Sequence, residues 1–186
     1  MSVLITGGAG FIGSHLIEMM LADASDQLIC LDNYNNYYDP ELKRANVKSF
    51  ENNPQVTMIE GDFCDFDAMQ KLFDEHDVNS VIHLGAYAGV RVSVQNPKIY
   101  QQTNVGGTLS LLEAARYHPV DRFLLASSST VYGKGAEIPF AEDASHGIPA
   151  SPYGSTKRAA ELMGLTYQQL HDVPVVCLRP FSVYGP

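Results

Sequence analysis

Positive charge is scarce in this sequence. Its 186 residues carry 12 lysines and arginines against 21 aspartates and glutamates, a formal net charge of −9. No basic run stands out, so nucleic acid is not an expected partner. An acidic balance still leaves phosphate ligands open, because local backbone dipoles can bind phosphate on an acidic protein. Cysteine is sparse too. Cys30, Cys64 and Cys177 lie far apart and make no metal-ligand spacing, so they read as buried thiols in a reducing cytoplasm and no metal is expected. No apolar run approaches 18 residues, so no membrane-spanning helix is expected. The start, Ser2-Val3-Leu4-Ile5-Thr6-Gly7, has neither the basic region nor the apolar core of an export signal. Repeats, low-complexity tracts and internal linkers are missing as well. The remainder is 45% hydrophobic and 18% charged, enough for one soluble, cytoplasmic globular domain with a sizeable core.

Hydrophobic patterning supplies the order of elements. Val3 to Thr6 is a short apolar run that ends in Gly7-Gly8-Ala9-Gly10-Phe11-Ile12-Gly13. An amphipathic segment from Gly13 to Leu21 follows, then a second apolar run, Leu28 to Leu31, closed by Asp32. Strand, glycine turn, helix, strand and acid in this register describe a dinucleotide site. Glycines let the backbone approach a pyrophosphate, and the helix start offers free N–H groups. Asp32 would accept from adenosine ribose hydroxyls and repel a 2′-phosphate. With no arginine or lysine in the glycine loop or just after Asp32, the expected cofactor is NAD rather than NADP.

The alternation continues. Pro40 opens a helix to about Phe50, and Gln55 to Glu60 is a third strand, ended by Gly61-Asp62-Phe63. Asp62 suits either an adenine contact or a turn and N-cap. Asp65 to about Asp74 is helical, and Ser80 to Leu84 is a fourth strand. His83, inside that apolar strand, reads as a satisfied core histidine rather than a catalytic one. Pro97 to about Tyr117 is expected as one long helix. Its Gly106-Gly107 pair costs roughly 1 kcal/mol per glycine against alanine, which close packing would offset. Arg122 to Ala126 is strand five, Lys134 to Ala150 a Pro/Gly-rich loop, Ser151 to Leu170 a long helix and Val173 to Leu178 strand six. The pattern predicts an α/β, Rossmann-like doubly wound parallel sheet, order 3-2-1-4-5-6, with helices on both faces. Its ligand-binding edge would gather the glycine loop, Asp32, Asp62, Gly85-Ala86, Ser127 to Ser129 and Ser182.

Tyr153 and Lys157 are four apart, on one face if helical. A cation beside a phenol favours the phenolate and lowers its pKa, which lets the tyrosine exchange a proton near neutral pH. A surface tyrosine beside a solvated lysine fits the same spacing. The serine cluster Ser127-Ser128-Ser129 just upstream favours the catalytic reading. With bound NAD the set makes a hydride-transfer site.

Taken together, the sequence resembles the extended short-chain dehydrogenase/reductase family. The resemblance rests on Gly7-x-x-Gly10-x-x-Gly13, Asp32, Asp62, Asn104, the Ser128 position, Tyr153-x-x-x-Lys157 and Arg179-Pro180-x-x-x-Tyr184-Gly185-Pro186. Within that family it looks most like the nucleotide-sugar 4-epimerases, and among them the UDP-glucuronate 4-epimerases. The segments Asp32 to Lys43 and Ala88-Gly89-Val90-Arg91-x-Ser93-x-x-x-Pro97 carry that finer likeness. The 4,6-dehydratases and decarboxylases usually have an acid before Val-Tyr-Gly; here Ser128-Ser129-Thr130 precedes Val131-Tyr132-Gly133, which argues against elimination.

The resemblance implies roles. Tyr153 is the acid/base, Lys157 lowers its pKa and holds the nicotinamide ribose, and Ser128 bonds the reacting sugar oxygen. Cofactor contacts fall to Gly7, Gly10, Phe11, Ile12, Gly13, Asp32 and Asn33. Asp62, Phe63, Leu84, Ala86, Asn104, Tyr153, Lys157 and Pro180 complete them, with Asn104 also fixing active-site backbone. Arg91, Ser128, Thr130, Tyr153 and Ser182 are the substrate contacts, although a surface or oligomer salt bridge suits Arg91 as well. The implied reaction oxidises C4 of a UDP-sugar, rotates the 4-keto intermediate and returns hydride to its other face. UDP-glucose and UDP-N-acetylglucosamine are alternative substrates. A homodimer through helices 97–117 and 151–170 is expected. Family members continue well past the Tyr-Gly-Pro segment, and that part supplies most of the sugar pocket. Residues 1–186 therefore read as an NAD-binding domain, either the N-terminal part of a longer epimerase or a non-catalytic NAD-binding module.

Overall fold

The computed structural model describes residues 1–23, 26–143 and 147–185. Residues 144–146 of the Pro/Gly-rich loop and Pro186 of the Tyr-Gly-Pro segment lie outside them. Six parallel strands form one sheet: β1 (Ser2–Thr6), β2 (Gln27–Asp32), β3 (Val56–Glu60), β4 (Val78–His83), β5 (Arg122–Ala126) and β6 (Val175–Leu178). Their order is β3-β2-β1-β4-β5-β6, as the alternation predicted. Leu4 pairs with Ile29 on one side and Val81 on the other.

The middles of β1 and β2, Val3 to Ile5 and Leu28 to Leu31, are continuously apolar because helices cover both faces. Successive residues alternate between two cores. Val3, Ile5, Leu28 and Cys30 pack with Ile17 of α1 (Phe11–Asp23) and Val47 of α2 (Pro40–Val47). Leu4, Ile29, Val81 and Phe123 face the other way. They meet Phe73 of α3 (Phe66–His76), Leu111 of α6 (Thr108–Tyr117) and Ala160 of α7 (Pro152–His171).

The helix starts follow from local chemistry. Asp39 caps α2, where its side chain accepts from the Glu41 N–H and Pro40 occupies the first turn. Asp65 caps α3 by accepting from the Ala68 N–H. Ser151 caps α7, accepting from the Gly154 N–H at 3.1 Å, with Pro152 in the first turn. That cap fixes where α7 begins, and so fixes Tyr153 at its mouth and Lys157 one turn in.

Two elements differ from expectation. The predicted helix 97–117 is three pieces: α5 (Pro97–Tyr100), a π-helical stretch (Gln101–Gly107) and α6. The widened stretch contains the glycine pair. A Cβ on Gly107 would lie 2.3 Å from the Phe63 ring, while one on Gly106 would meet nothing within 4 Å. Close packing therefore explains Gly107 alone. An additional helix, α4 (Val90–Gln95), precedes α5.

Candidate active site

The carboxyl ends of the strands border a trough with two connected halves. One half is lined by Gly7, Gly10, Asp32, Asn33, Tyr37, Tyr38, Lys43, Phe63, Leu84 and Ala86. The other, about 350 Å³, is lined by Phe11, Ile12, Gly13, Ala126, Ser127, Tyr153, Lys157 and Pro180. Gly7, Gly10, Tyr37, Tyr38, Leu84 and Ala86 border both halves. The glycine loop is tight enough to need its glycines. Gly7 has φ +68°, and a Cβ there would sit 2.9 Å from Gly85 backbone; one on Gly13 would sit 2.3 Å from the Gly7 carbonyl oxygen.

Asp32 is buried at the far end. Its Oδ1 accepts from Lys43 Nζ at 2.8 Å and from the Tyr34 N–H at 2.9 Å. No basic residue stands in the glycine loop or just after Asp32, but the fold brings one to the acid from further along the chain. Lys43 is distant in sequence, but α2 brings it onto Asp32 in a buried ion pair. Each charge offsets part of the desolvation of the other. Lys43 escaped notice because it looks like one more surface lysine. Its spacing of four from Val47, also buried, was the available signal.

At the near end, Lys157 is 5% exposed and its Nζ donates to the Ala126 carbonyl at 2.8 Å. Burial lowers its pKa to about 8. The Ser128 hydroxyl lies close enough to the Tyr153 phenol to lower its pKa. Ser128 Oγ accepts from the Thr130 N–H at 3.2 Å and the Thr130 hydroxyl at 3.0 Å. Its own proton is not used by either of these bonds. Burial nevertheless raises the Tyr153 pKa; the Ser128 bond lowers it and the Tyr37 phenol raises it further. The net direction is therefore upward, not the lowering by Lys157 that the sequence led one to expect. The reason is geometric and dielectric: the ammonium is directed at a backbone carbonyl, and desolvation of the phenolate outweighs the remaining attraction.

Other candidates fall into place unequally. Asn104 lines neither half. Its amide accepts from the Tyr87 N–H at 2.8 Å and donates to the Tyr87 carbonyl and to Thr156 Oγ1. It thus locks the loop after β4 to α7, the backbone fixing expected of it. Asp62 makes a turn, accepting from the Cys64 N–H, and receives a 3.4 Å bond from Asn33. Thr130 is committed to Ser128. Arg91 and Ser182 are exposed, and neither borders the trough. Arg179 has a structural function: it bonds Glu161 of α7 at 2.8 and 3.1 Å, and Arg158 reaches the same carboxylate at 2.7 Å.

His83 is the satisfied core residue expected of it. Thr108 Oγ1 donates to the Asn104 carbonyl at 2.7 Å, so it must accept from His83 Nε2–H at 3.0 Å. His83 Nδ1 then accepts from Thr6 Oγ1 at 2.6 Å, and Thr6 in turn accepts from the Gly85 N–H. The imidazole is held neutral, with its pKa pushed down to about 3 by burial and by Lys157.

A group of tyrosines went unnoticed in the sequence. Tyr37 and Tyr100 both donate to the Ala88 carbonyl. Tyr87 packs edge-on against both rings, and Tyr100 against Tyr153. They tie the loop after β2 across the trough to the loop after β4.

The trough suits a dinucleotide. Its cradle is closed to side chains at Gly7 and Gly13, an acid stands at one end, and Tyr38, whose buried hydroxyl has no partner among the described residues, is part of its lining. Among the described residues no group of three or more His, Cys, Asp or Glu is placed to hold a metal ion, and no helix is long and apolar enough to cross a membrane.

Comparison with known proteins agrees with this geometry. UDP-glucuronate 4-epimerase 6 of Arabidopsis thaliana is 43% identical over 187 residues, covering 100% of this chain and 40% of that protein. The Bacillus cereus UDP-glucuronic acid 4-epimerase, solved with UDP-glucuronic acid and NAD, superposes with TM-score 0.93 at 37% identity, over 100% of this chain and 58% of that one. UDP-glucose 4-epimerase of Thermotoga maritima gives 0.87 at 31%, over 57% of its own chain. The chain thus spans between about two fifths and three fifths of these relatives. Residues 3–186 match the NAD dependent epimerase/dehydratase family, and the chain belongs to it.

Proposed function

We propose that the protein is the NAD-binding and proton-transferring part of a nucleotide-sugar 4-epimerase acting on UDP-glucuronate and UDP-galacturonate. One observation carries the reading: Tyr153, with Ser128 close to its phenol and buried Lys157 beside it, opens onto the same trough that the glycine loop and Asp32 border. Bound NAD would supply the hydride acceptor and a positive charge at the Tyr153 end. The Gly7 to Gly13 loop and the start of α1 would hold the diphosphate, and Asp32 with Lys43 an adenosine ribose. Tyr153 takes the proton of the sugar hydroxyl at its phenolic oxygen and later returns it. Ser128 donates to the same oxygen and orients it. Lys157 keeps a cation close to the ribose end of the nicotinamide half.

The resting phenol, raised by burial, is protonated at neutral pH. It is ready to give a proton to a keto oxygen and needs added positive charge before it takes one. The choice of uronic acid rests on the likeness to the Arabidopsis and Bacillus proteins. A homodimer through α6 and α7 is part of the same proposal, supported by exposed Leu109, Leu162 and Leu165 on those helices.

The test incubates the full-length gene product with UDP-glucuronate and follows products by NMR. Inversion at C4 is expected. Unchanged UDP-glucuronate, UDP-glucose and UDP-N-acetylglucosamine after exhaustive incubation would sink the proposal.

A further inference from the structure

The trough has one polar atom whose chemistry is unaccounted for. The Tyr38 hydroxyl oxygen is shielded from solvent and has no hydrogen-bond partner among the described residues. A phenol buried in this way costs stability unless something completes it. Its neighbours do not. Lys43 Nζ lies 5.4 Å from the ring centroid and is directed at Asp32 instead. The nearby Tyr37 hydroxyl is bonded to the Ala88 carbonyl.

Its position says what kind of group would complete it. Tyr38 borders both halves of the trough, and its oxygen would be 3.9 Å from a Cβ on Gly10. It therefore stands across from the glycine loop, at the join between the Asp32 end and the Tyr153 end. A dinucleotide laid along the trough has its two nucleosides at those ends and its diphosphate at the join. Burial and the Asp32 charge both raise the Tyr38 pKa, so the group is a neutral O–H donor, suited to an anionic oxygen.

We infer that Tyr38 is a ligand of the dinucleotide diphosphate, donating its hydroxyl proton to a phosphate oxygen opposite the glycine loop. The inference rests on the dinucleotide reading of the trough. It adds a side-chain donor, from the loop after β2, to a subsite otherwise built from backbone N–H groups. It also gives that loop a function: Tyr37 fastens it across the trough, and Tyr38 grips what lies beneath.

Tyr38→Phe removes only the oxygen. Isothermal titration of wild type and variant with NAD, ADP and adenosine is the experiment. A hydrogen bond to a charged group is worth about 1.5–3 kcal/mol, so affinity for NAD and ADP should fall roughly 10- to 100-fold. Adenosine, which lacks phosphate, should bind both proteins equally. The unliganded variant should melt at or above the wild-type temperature, because an unsatisfied buried hydroxyl has been removed. Equal ADP affinity in the two proteins would overturn the inference while leaving the dinucleotide site intact. A variant that melts lower or fails to fold would overturn it too, by showing the oxygen to be bonded within the protein. Wild-type protein that binds neither NAD nor ADP would instead overturn the dinucleotide reading, and this inference with it.

Discussion

His83 shows how a single side chain can be read correctly from sequence for a partial reason. A histidine in an apolar strand suggested a satisfied core residue, and it is one. Its partners were not legible, because Thr6 and Thr108 lie 77 and 25 residues away and meet it only through the sheet and α6. The burial has a pH consequence. The folded imidazole titrates near 3, the unfolded one near 6.5. Between these values the unfolded chain binds the extra proton, so stability is full above pH 6.5 and falls as pH drops towards 3. His83→Gln should flatten part of that slope. Thermal melts of both proteins at steps from pH 7 to 4 check it; parallel curves would contradict the assignment. Lys157 behaves similarly in a higher window. Its lowered pKa of about 8, against 10.5 unfolded, means that its burial penalty shrinks as pH rises from 8 to 10.5.

At the scale of elements, sheet order and most strand positions were legible because buried strands are short apolar runs punctuated by glycine and acid. Helix starts were legible where Asp-Pro or Ser-Pro announced them. Two helical features were not. Val90-Arg91-Val92-Ser93-Val94 alternates with period two and is β-branched, so pattern favours a strand where α4 forms. The π-helical stretch leaves no periodic signature at all, since one widened turn only shifts the phase of a helix. For α7 the cap matters most. Ser151 bonds the Gly154 N–H, and Tyr153 sits within that first turn. Ser151→Ala should cost about 1 kcal/mol, read as a lower midpoint in urea. An unchanged midpoint would mean that Pro152 alone sets the helix start.

For the whole molecule, the candidate site was more legible than its tuning. Spacing brought Ser128, Tyr153, Lys157 and the glycine loop to one edge on paper, and they share that edge in the fold. What spacing could not convey was dielectric: burial raises Tyr153, lowers Lys157 and hides Lys43. The proposed dimer is also a property at this scale. Leu165→Glu with Leu162→Glu places two charges on exposed positions of α7, so the fold should survive while a dimer should not. Light scattering should report a halved mass. Equal masses for variant and wild type would remove α7 from any interface.

Phe63, gripped between Gly85 and Gly107, leads to a different kind of expectation. A Cβ on Gly85 would fall 2.5 Å from its ring, and one on Gly107 2.3 Å. Three positions scattered over 45 residues thus behave as one heritable character. Gly85→Ala alone should destabilise by about 1–3 kcal/mol through overpacking. Paired with Phe63→Leu it should cost less than the two changes summed, which a double-mutant cycle would measure. Among descendants of this sequence, an alanine at 85 should arrive after the phenylalanine has been replaced, so the order of substitutions is constrained as well as their identity.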